Sequence, residues 1–380
     1  MKILYLSSNL SNESGGYAES SFLLREKLDM LKNTDAYLFG FWKSKEYKLN
    51  YVLSDKISIF PAGLINIFPF SFSYLKKIFL IRPNLIDVQG LWSSASIATL
   101  IYNKLRQTPY IITPRGMLED WALKQSYFKK LIFYLLIEKY HFKNATCLRA
   151  TSNMEMNSFR KLGFKKKIIN IPNAIKIPKI KLKTKFKTKK KKILFLSRIH
   201  KKKGISELLN AWKYIHHKYL DWELVICGFD ENGYKNKMVK LSNDLKLKRV
   251  VWKDYTIGKE KDNLFKSSDL FILLSHSENF GLSIAEALSF GLPVITTTNT
   301  PWKDLKKYNC GWCIDLKTKK IIKTLENAIC LNPKKRMLMG KRGRAWIIRD
   351  FSDKSIGIKM RSVYNWILKK GPKPKKIIFN

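Results

Sequence analysis

The chain has 380 residues, 45% of them hydrophobic, and carries 73 Lys+Arg against 29 Asp+Glu for a formal net charge of +44. That length predicts two domains, each able to bury its own core, and the apolar content excludes a disordered chain. No stretch approaches the roughly 18–20 consecutive apolar residues of a membrane-spanning helix.

The charge draws anionic partners: phospholipid, nucleic acid or phosphorylated substrate. Lysines are spread along most of the chain, as compositional drift would also produce, so charge by itself selects no chemistry. Met1-Lys2 leads straight into Ile3-Leu4-Tyr5-Leu6 without the longer apolar core of a signal peptide. The expectation is a soluble, cytoplasmic protein.

In chain order, the apolar run Lys2–Ser7 predicts a first strand. A polar loop follows, closed by Ser14-Gly15-Gly16, and then Tyr17, Leu24, Leu28 and Leu31 share one helical face. A glycine pair before a helix is a weak phosphate-loop signal and is also ordinary turn chemistry. It is not a G-x-G-x-x-G, which disfavours a nicotinamide cofactor. Further strands are predicted at Leu85–Gln89, Tyr110–Thr113 and 146–151, with a helix over 121–142. Residues 59–81 and 127–142 are rich in aromatic and aliphatic side chains with few charges other than lysine. They read either as buried helices or as a surface suited to an anionic membrane leaflet.

Composition changes at 176–192, which holds ten lysines, one aromatic and one proline. Such a segment cannot form core and reads as a solvated linker. After it, 193–197, 223–227, 249–252, 270–274 and 293–297 alternate with helical patterns, including Ile205, Leu208, Leu209, Trp212 and Ile215 on one face. The alternation predicts two doubly wound α/β domains with parallel sheets. The expected divisions are an N-terminal domain over 1–175, a basic linker over 176–190 and a C-terminal domain over 191–350. A helix and tail over 351–380 would pack back on the first domain. Ligands of such sheets bind at the carboxyl ends of the strands, so a cleft between the domains is expected to hold the site.

Five cysteines stand at 147, 227, 310, 313 and 330. Cys310-Gly311-Trp312-Cys313 has redox or zinc spacing, but no second pair or histidines complete a zinc site, and buried free thiols are the competing reading.

The segment His276-Ser277-Glu278-Asn279-Phe280-Gly281-Leu282-Ser283-Ile284-Ala285-Glu286 runs from a strand into a helix. The N–H groups of Phe280, Gly281 and Leu282 at the helix start, with the positive dipole end, suit a diphosphate. Glu286 stands roughly 7 Å further along the axis at 1.5 Å per residue. Two carboxylates on opposite sides of a phosphate site match a nucleotide sugar: sugar hydroxyls, diphosphate, ribose hydroxyls.

Glu278 to Glu286 with the text around it resembles the E-x7-E signature of glycosyltransferase family 4 (group 1 glycosyltransferases). The resemblance spans nearly the whole chain and is sharpest from 193 to 315. It implies a GT-B fold: two Rossmann-like domains facing a central cleft. It implies that Glu278 contacts the transferred sugar and Glu286 the ribose. Arg198 and Lys203 would neutralise the departing diphosphate, although Lys201, Lys202 and Lys203 are adjacent and the inward one is open. Gly15 and Gly16 would cover the donor phosphates. Thr113-Pro114-Arg115-Gly116 is similar to a subgroup in bacterial surface-polysaccharide synthesis (capsule, lipopolysaccharide). Relatives often carry a histidine facing the sugar in this region. Arg115 stands there, as a contact to acceptor or donor phosphate or as a structural arginine.

The resemblance implies retaining transfer from a UDP- or GDP-sugar to a lipid-linked saccharide, with no nucleic-acid partner. The protein would lie on the inner face of the cytoplasmic membrane. The chain has no D-x-D, the motif that would hold a divalent metal on the diphosphate. Metal-independent chemistry without a cofactor is therefore expected, helix ends and cations replacing the ion. Alternative readings are another GT-B enzyme, an epimerase or phosphorylase, and, from charge alone, a nucleic-acid-binding protein.

Overall fold

Short apolar strands and amphipathic helices alternate along the chain because each strand is covered on both faces and each helix on one. The computed structural model describes residues 1–10, 16–42, 54–61, 72–180, 190–230, 232–375 and 377–379. They form two units, Met1–Ala174 with Asp353–Asn380, and Ile175–Ser352.

The first unit runs β1 (Lys2–Ser7), α1 (Gly16–Asp29), β2 (Asp35–Trp42), β3 (Ile57–Pro61), α2 (Phe72–Ile81), β4 (Leu85–Gln89) and α3 (Ser94–Arg106). It continues through β5 (Tyr110–Thr113), α4 (Asp120–Lys124), α5 (Tyr127–Phe133), α6 (Lys139–Asn144), β6 (Cys147–Ala150), α7 (Asn153–Lys161) and β7 (Ile168–Asn170). The second holds β8 (Lys191–Leu196), α8 (Ile205–Trp212), β9 (Trp222–Cys227), α9 (Tyr234–Asp244), β10 (Val250–Lys253) and α10 (Gly258–Ser267). It closes with β11 (Leu270–Leu273), α11 (Leu282–Ser289), β12 (Val294–Thr297), β13 (Gly311–Ile314), α12 (Thr318–Cys330) and α13 (Pro333–Phe351). The chain then returns to the first unit as α14 (Asp353–Ile367) and β14 (Ile378–Phe379).

The second sheet has the order β10-β9-β8-β11-β12-β13 with every pair parallel. Chain order reverses between β8 and β11, which is the switch point where ligands of such sheets bind. The first sheet has the order β14-β7-β6-β5-β4-β1-β2-β3, with its reversal between β1 and β4 and an antiparallel edge at β14. Ile356, Met360, Val363 and Tyr364 of α14 share a core with Leu24 and Leu28 of α1. Ile177 and Ile180, which open the lysine-rich stretch, pack on the core of the second unit. Residues 181–189 of the expected linker lie outside the described residues.

The helix expected over 121–142 is broken. Ser126 takes a left-handed φ of +52°, ending the first piece, and a π-helical turn at Tyr134–Glu138 interrupts the second. The wider turn brings Glu138 inward, where it is fully buried and accepts from the Trp92 N–H at 2.8 Å and Ser96 Oγ at 2.7 Å. Strands β2 and β3, not expected from the sequence, add to the first sheet beside β1.

Candidate active site

Two loops meet at the β8–β11 switch point. The loop after β8 tightens into a helical turn at Lys201–Lys203 and ends at Gly204, with φ +71°. A Cβ at Gly204 would lie 2.0 Å from the Leu274 carbonyl oxygen, so only glycine lets this turn approach the end of β11. The His276 N–H donates to the Lys202 carbonyl at 2.8 Å and fixes the two loops together.

This packing selects among the three lysines. Lys201 is exposed, Lys202 half-buried and Lys203 buried, its ammonium paired with Glu278 Oε1. Ser275 Oγ donates to the same oxygen at 2.9 Å, and the Glu278 N–H donates to the Asn299 carbonyl at 3.2 Å. Burial raises the Glu278 pKa, but the charge and hydrogen bond of Lys203 and the Ser275 hydroxyl outweigh it, and the net shift is downward. Glu278 is therefore ionised at neutral pH. Arg198, two residues past β8, is exposed.

Gly281 caps α11 with φ +75°. Phe280 is buried, and its carbonyl accepts from Trp302 Nε1 at 2.5 Å, which holds the helix entrance on an aromatic cluster of Trp302, Trp346 and Phe351. The first N–H groups to bond back within α11 are those of Ile284 and Ala285, both to the Gly281 carbonyl. Those of Leu282 and Ser283 precede them and have no carbonyl one turn earlier, leaving donors for an anion. Glu286 lies one turn on, and Lys261 of α10 pairs with its Oε1 at 2.6 Å, both side chains largely buried. The fold thus brings Lys203, Glu278, the start of α11 and Glu286 to the carboxyl end of the second sheet, while Arg198 stands exposed beside β8.

Lys261 and Ser275 escaped the sequence reading. In a chain with 73 basic residues no local pattern marks Lys261. Ser275 carries a readable signal, a hydroxyl three residues before a loop glutamate.

The first unit has its own polar focus at the β1–β4 reversal. Arg115, with φ +59°, turns its guanidinium inward. Nε donates to Gln89 Oε1 at 2.8 Å, Nη1 donates to Ser20 Oγ at 3.0 Å and to Asn173 Oδ1, and the plane lies 5.7 Å from the Tyr17 ring centroid. Burial, with repulsion from Arg149, pushes the Arg115 pKa down to about 10, so it keeps its charge at neutral pH. Beneath it Asp87 is fully buried, accepting from Thr113 Oγ1 at 3.0 Å and Tyr364 Oη at 2.7 Å. Burial raises its pKa, partly offset by Arg149. Gly16 opens α1, and Gly15 lies outside the described residues. Cys310 is buried and Cys313 partly so; burial pushes the first thiol up to about 12 and raises the second, away from thiolate chemistry.

Residues 176–346 match the family of glycosyl transferases group 1. The match falls within the second unit and covers most of it. It is 28% identical over 270 residues to an uncharacterized glycosyltransferase of Methanocaldococcus jannaschii, covering 64% of each chain. It is 27% identical over 236 residues to the capsular polysaccharide biosynthesis glycosyltransferase CapM of Staphylococcus aureus, covering 58% of each. The chain thus spans less than two thirds of the length of these curated relatives. Among solved structures it resembles Anabaena HepE in complex with UDP and glucose, with a TM-score of 0.73 at 16% identity over 96% of this chain and 100% of that one. At that identity the likeness is one of fold, and it bears out the expected GT-B architecture.

Proposed function

We propose that the chain transfers a sugar from a nucleotide-sugar donor to a saccharide acceptor in bacterial surface-polysaccharide assembly. The observation that carries this reading is the buried Lys203–Glu278 pair at the switch point, beside the open N–H groups of α11 and followed by Glu286. CapM, a capsular relative, and HepE, solved with UDP, support the substrate class.

In this reading the donor diphosphate lies on the Leu282 and Ser283 N–H groups, with Lys203 and Arg198 stabilising the charge that develops as it leaves. Glu278, held ionised, accepts hydrogen bonds from the transferred sugar, and Glu286 from the ribose. The acceptor hydroxyl attacks on the face the leaving group vacates, and a phosphate oxygen takes its proton, so configuration at the anomeric carbon is retained. No divalent metal enters this scheme, its role falling to cations and helix end. Arg115, charged and fixed on the first unit, is suited to an acceptor phosphate. The acceptor in this reading is lipid-linked, and the protein works on the inner face of the cytoplasmic membrane. Among the described residues no helix is long and apolar enough to cross a membrane.

The test is thermal stability with UDP, GDP and their sugars, since a ligand of the folded state raises the melting temperature with its excess over Kd. A rise with one nucleotide series, followed by release of that nucleoside diphosphate and an extended acceptor, supports transfer. No stabilisation by either series sinks the donor site. Release of a sugar 1-phosphate would instead assign a phosphorylase.

A further inference from the structure

The piece of chain from Tyr127 to Asn144 lies on the first unit with one face turned out. Phe128 is 78% exposed, Ile132 56% and Leu136 63%, and Leu131, Leu135 and Tyr140 are exposed with them. Their spacing follows the helical repeat through α5, the π turn and α6, so they form one continuous ridge. The opposite face holds Phe133, Glu138, His141 and Phe142, all buried. Glu138 ties that face down through Trp92, Ser96 and His141 Nδ1 at 2.9 Å, and the His141 ring stacks on Tyr110. The ridge is therefore a clamped surface, not a frayed helix.

Single exposed apolar residues are ordinary, but six contiguous ones mark an interaction surface. Charge decides the occupant. Between Trp121 and Thr146 the chain has lysines at 124, 129, 130, 139 and 143 and one carboxylate, Glu138, which is buried. Lys129, Lys139 and Lys143 are exposed beside the ridge. A second copy of the chain docked on this face by two-fold symmetry would set these lysines against their own counterparts. An anionic bilayer takes both features: aliphatic side chains enter the boundary of headgroups and acyl chains, and ammonium groups meet lipid phosphates.

We infer that the ridge from Phe128 to Tyr140 is the membrane-docking surface of this protein, lying in the plane of an anionic leaflet. This rests on the proposed lipid-linked acceptor for its purpose, but its test needs no transfer. Purified protein is sedimented with vesicles of phosphatidylglycerol and phosphatidylcholine, and with phosphatidylcholine alone, at low and high salt. The full chain should partition to the anionic vesicles at low salt. Leu135→Ser with Leu136→Ser should lower the partition coefficient by roughly tenfold or more, and Lys129→Ser with Lys139→Ser and Lys143→Ser should reduce its salt dependence. An unchanged melting temperature shows that these exposed changes leave the fold intact. Wild-type protein that ignores anionic vesicles, or leucine variants that bind as before, would overturn the inference. So would a solution dimer that the leucine changes dissociate. Vesicle binding without stabilisation by any nucleotide would sink the transferase reading and leave the docking surface standing.

Discussion

Lys203 and Glu278 are 75 residues apart in the chain and joined by an ion pair across the reversal of the second sheet. Each is the reason the other can be buried, because a lone charge in that position carries a desolvation cost of several kcal/mol. Lys203→Met and Glu278→Gln should each lower transfer by about 10²–10³-fold. Each single change should also cost roughly 1–3 kcal/mol, and the double variant should regain part of that stability but none of the rate. Initial rates and denaturant melts check this. Near-normal turnover in either single variant would remove the pair from the reaction.

The downward pKa shift of Glu278 fixes a sign. A carboxyl with its folded pKa below its unfolded value contributes stability that is full above the unfolded value, about 4.3, and is lost as pH falls through the folded one. Nucleotide affinity should therefore show no Glu278 titration between about pH 5 and 8. Isothermal titration across that range is the measurement. A titration near pH 6 that vanishes in Glu278→Gln would contradict the assignment of Lys203 as the dominant partner.

Lys261 holds one oxygen of Glu286 at 2.6 Å, so it sets where that carboxylate points. Lys261→Ala should weaken binding of the nucleoside diphosphate by about 3–10-fold, and combined with Glu286→Ala it should add little further loss, as for residues acting through one contact. With a ligand lacking the ribose hydroxyls the Lys261 effect should shrink. Full additivity of the two changes would mean that Lys261 does not act through Glu286.

Gly204→Ala combines a left-handed φ with a Cβ 2.0 Å from backbone, whereas Gly163, at φ +81°, has nothing within 4 Å of the added atom. Gly163→Ala should cost only the conformational term, about 1–2 kcal/mol. Gly204→Ala should cost clearly more, because β11 or the lysine turn must move, and donor binding should fall with it. Equal melting temperatures for the two variants would show that the loop contact is slack.

Tyr364 of the returning helix donates to buried Asp87 at 2.7 Å and stands 2.6 Å from Tyr5 Oη. Tyr364→Phe should destabilise the protein by about 1–3 kcal/mol by leaving a buried acceptor short of a donor, while exposed Tyr214→Phe should stay within about 0.5 kcal/mol. Loss of α14 docking should show as early hydrogen exchange in that helix. Similar stabilities for the two variants would argue against the network as its anchor.

Much of this protein was legible in local pattern. The strands Lys2–Ser7, Leu85–Gln89 and Tyr110–Thr113 stand where apolar runs place them, and the α11 segment reads as strand, loop and helix because glycine and periodicity act over a few residues. Those same residues determine that Glu278 precedes the helix start and Glu286 follows it. What the local pattern lacks is partnership. Three adjacent lysines carry the same charge, and the close approach of Gly204 to Leu274, with Glu278 as the waiting partner, selects Lys203. Lys261 meets Glu286 and Arg115 meets Gln89 and Asn173 because sheet order sets distant segments side by side. The ridge from Phe128 to Tyr140 is the sharpest case. An amphipathic pattern shows that a helix has two faces, but which of them the core accepts depends on the groups waiting there. Here the turn of the π helix gave Glu138 to the core and left the leucines outside.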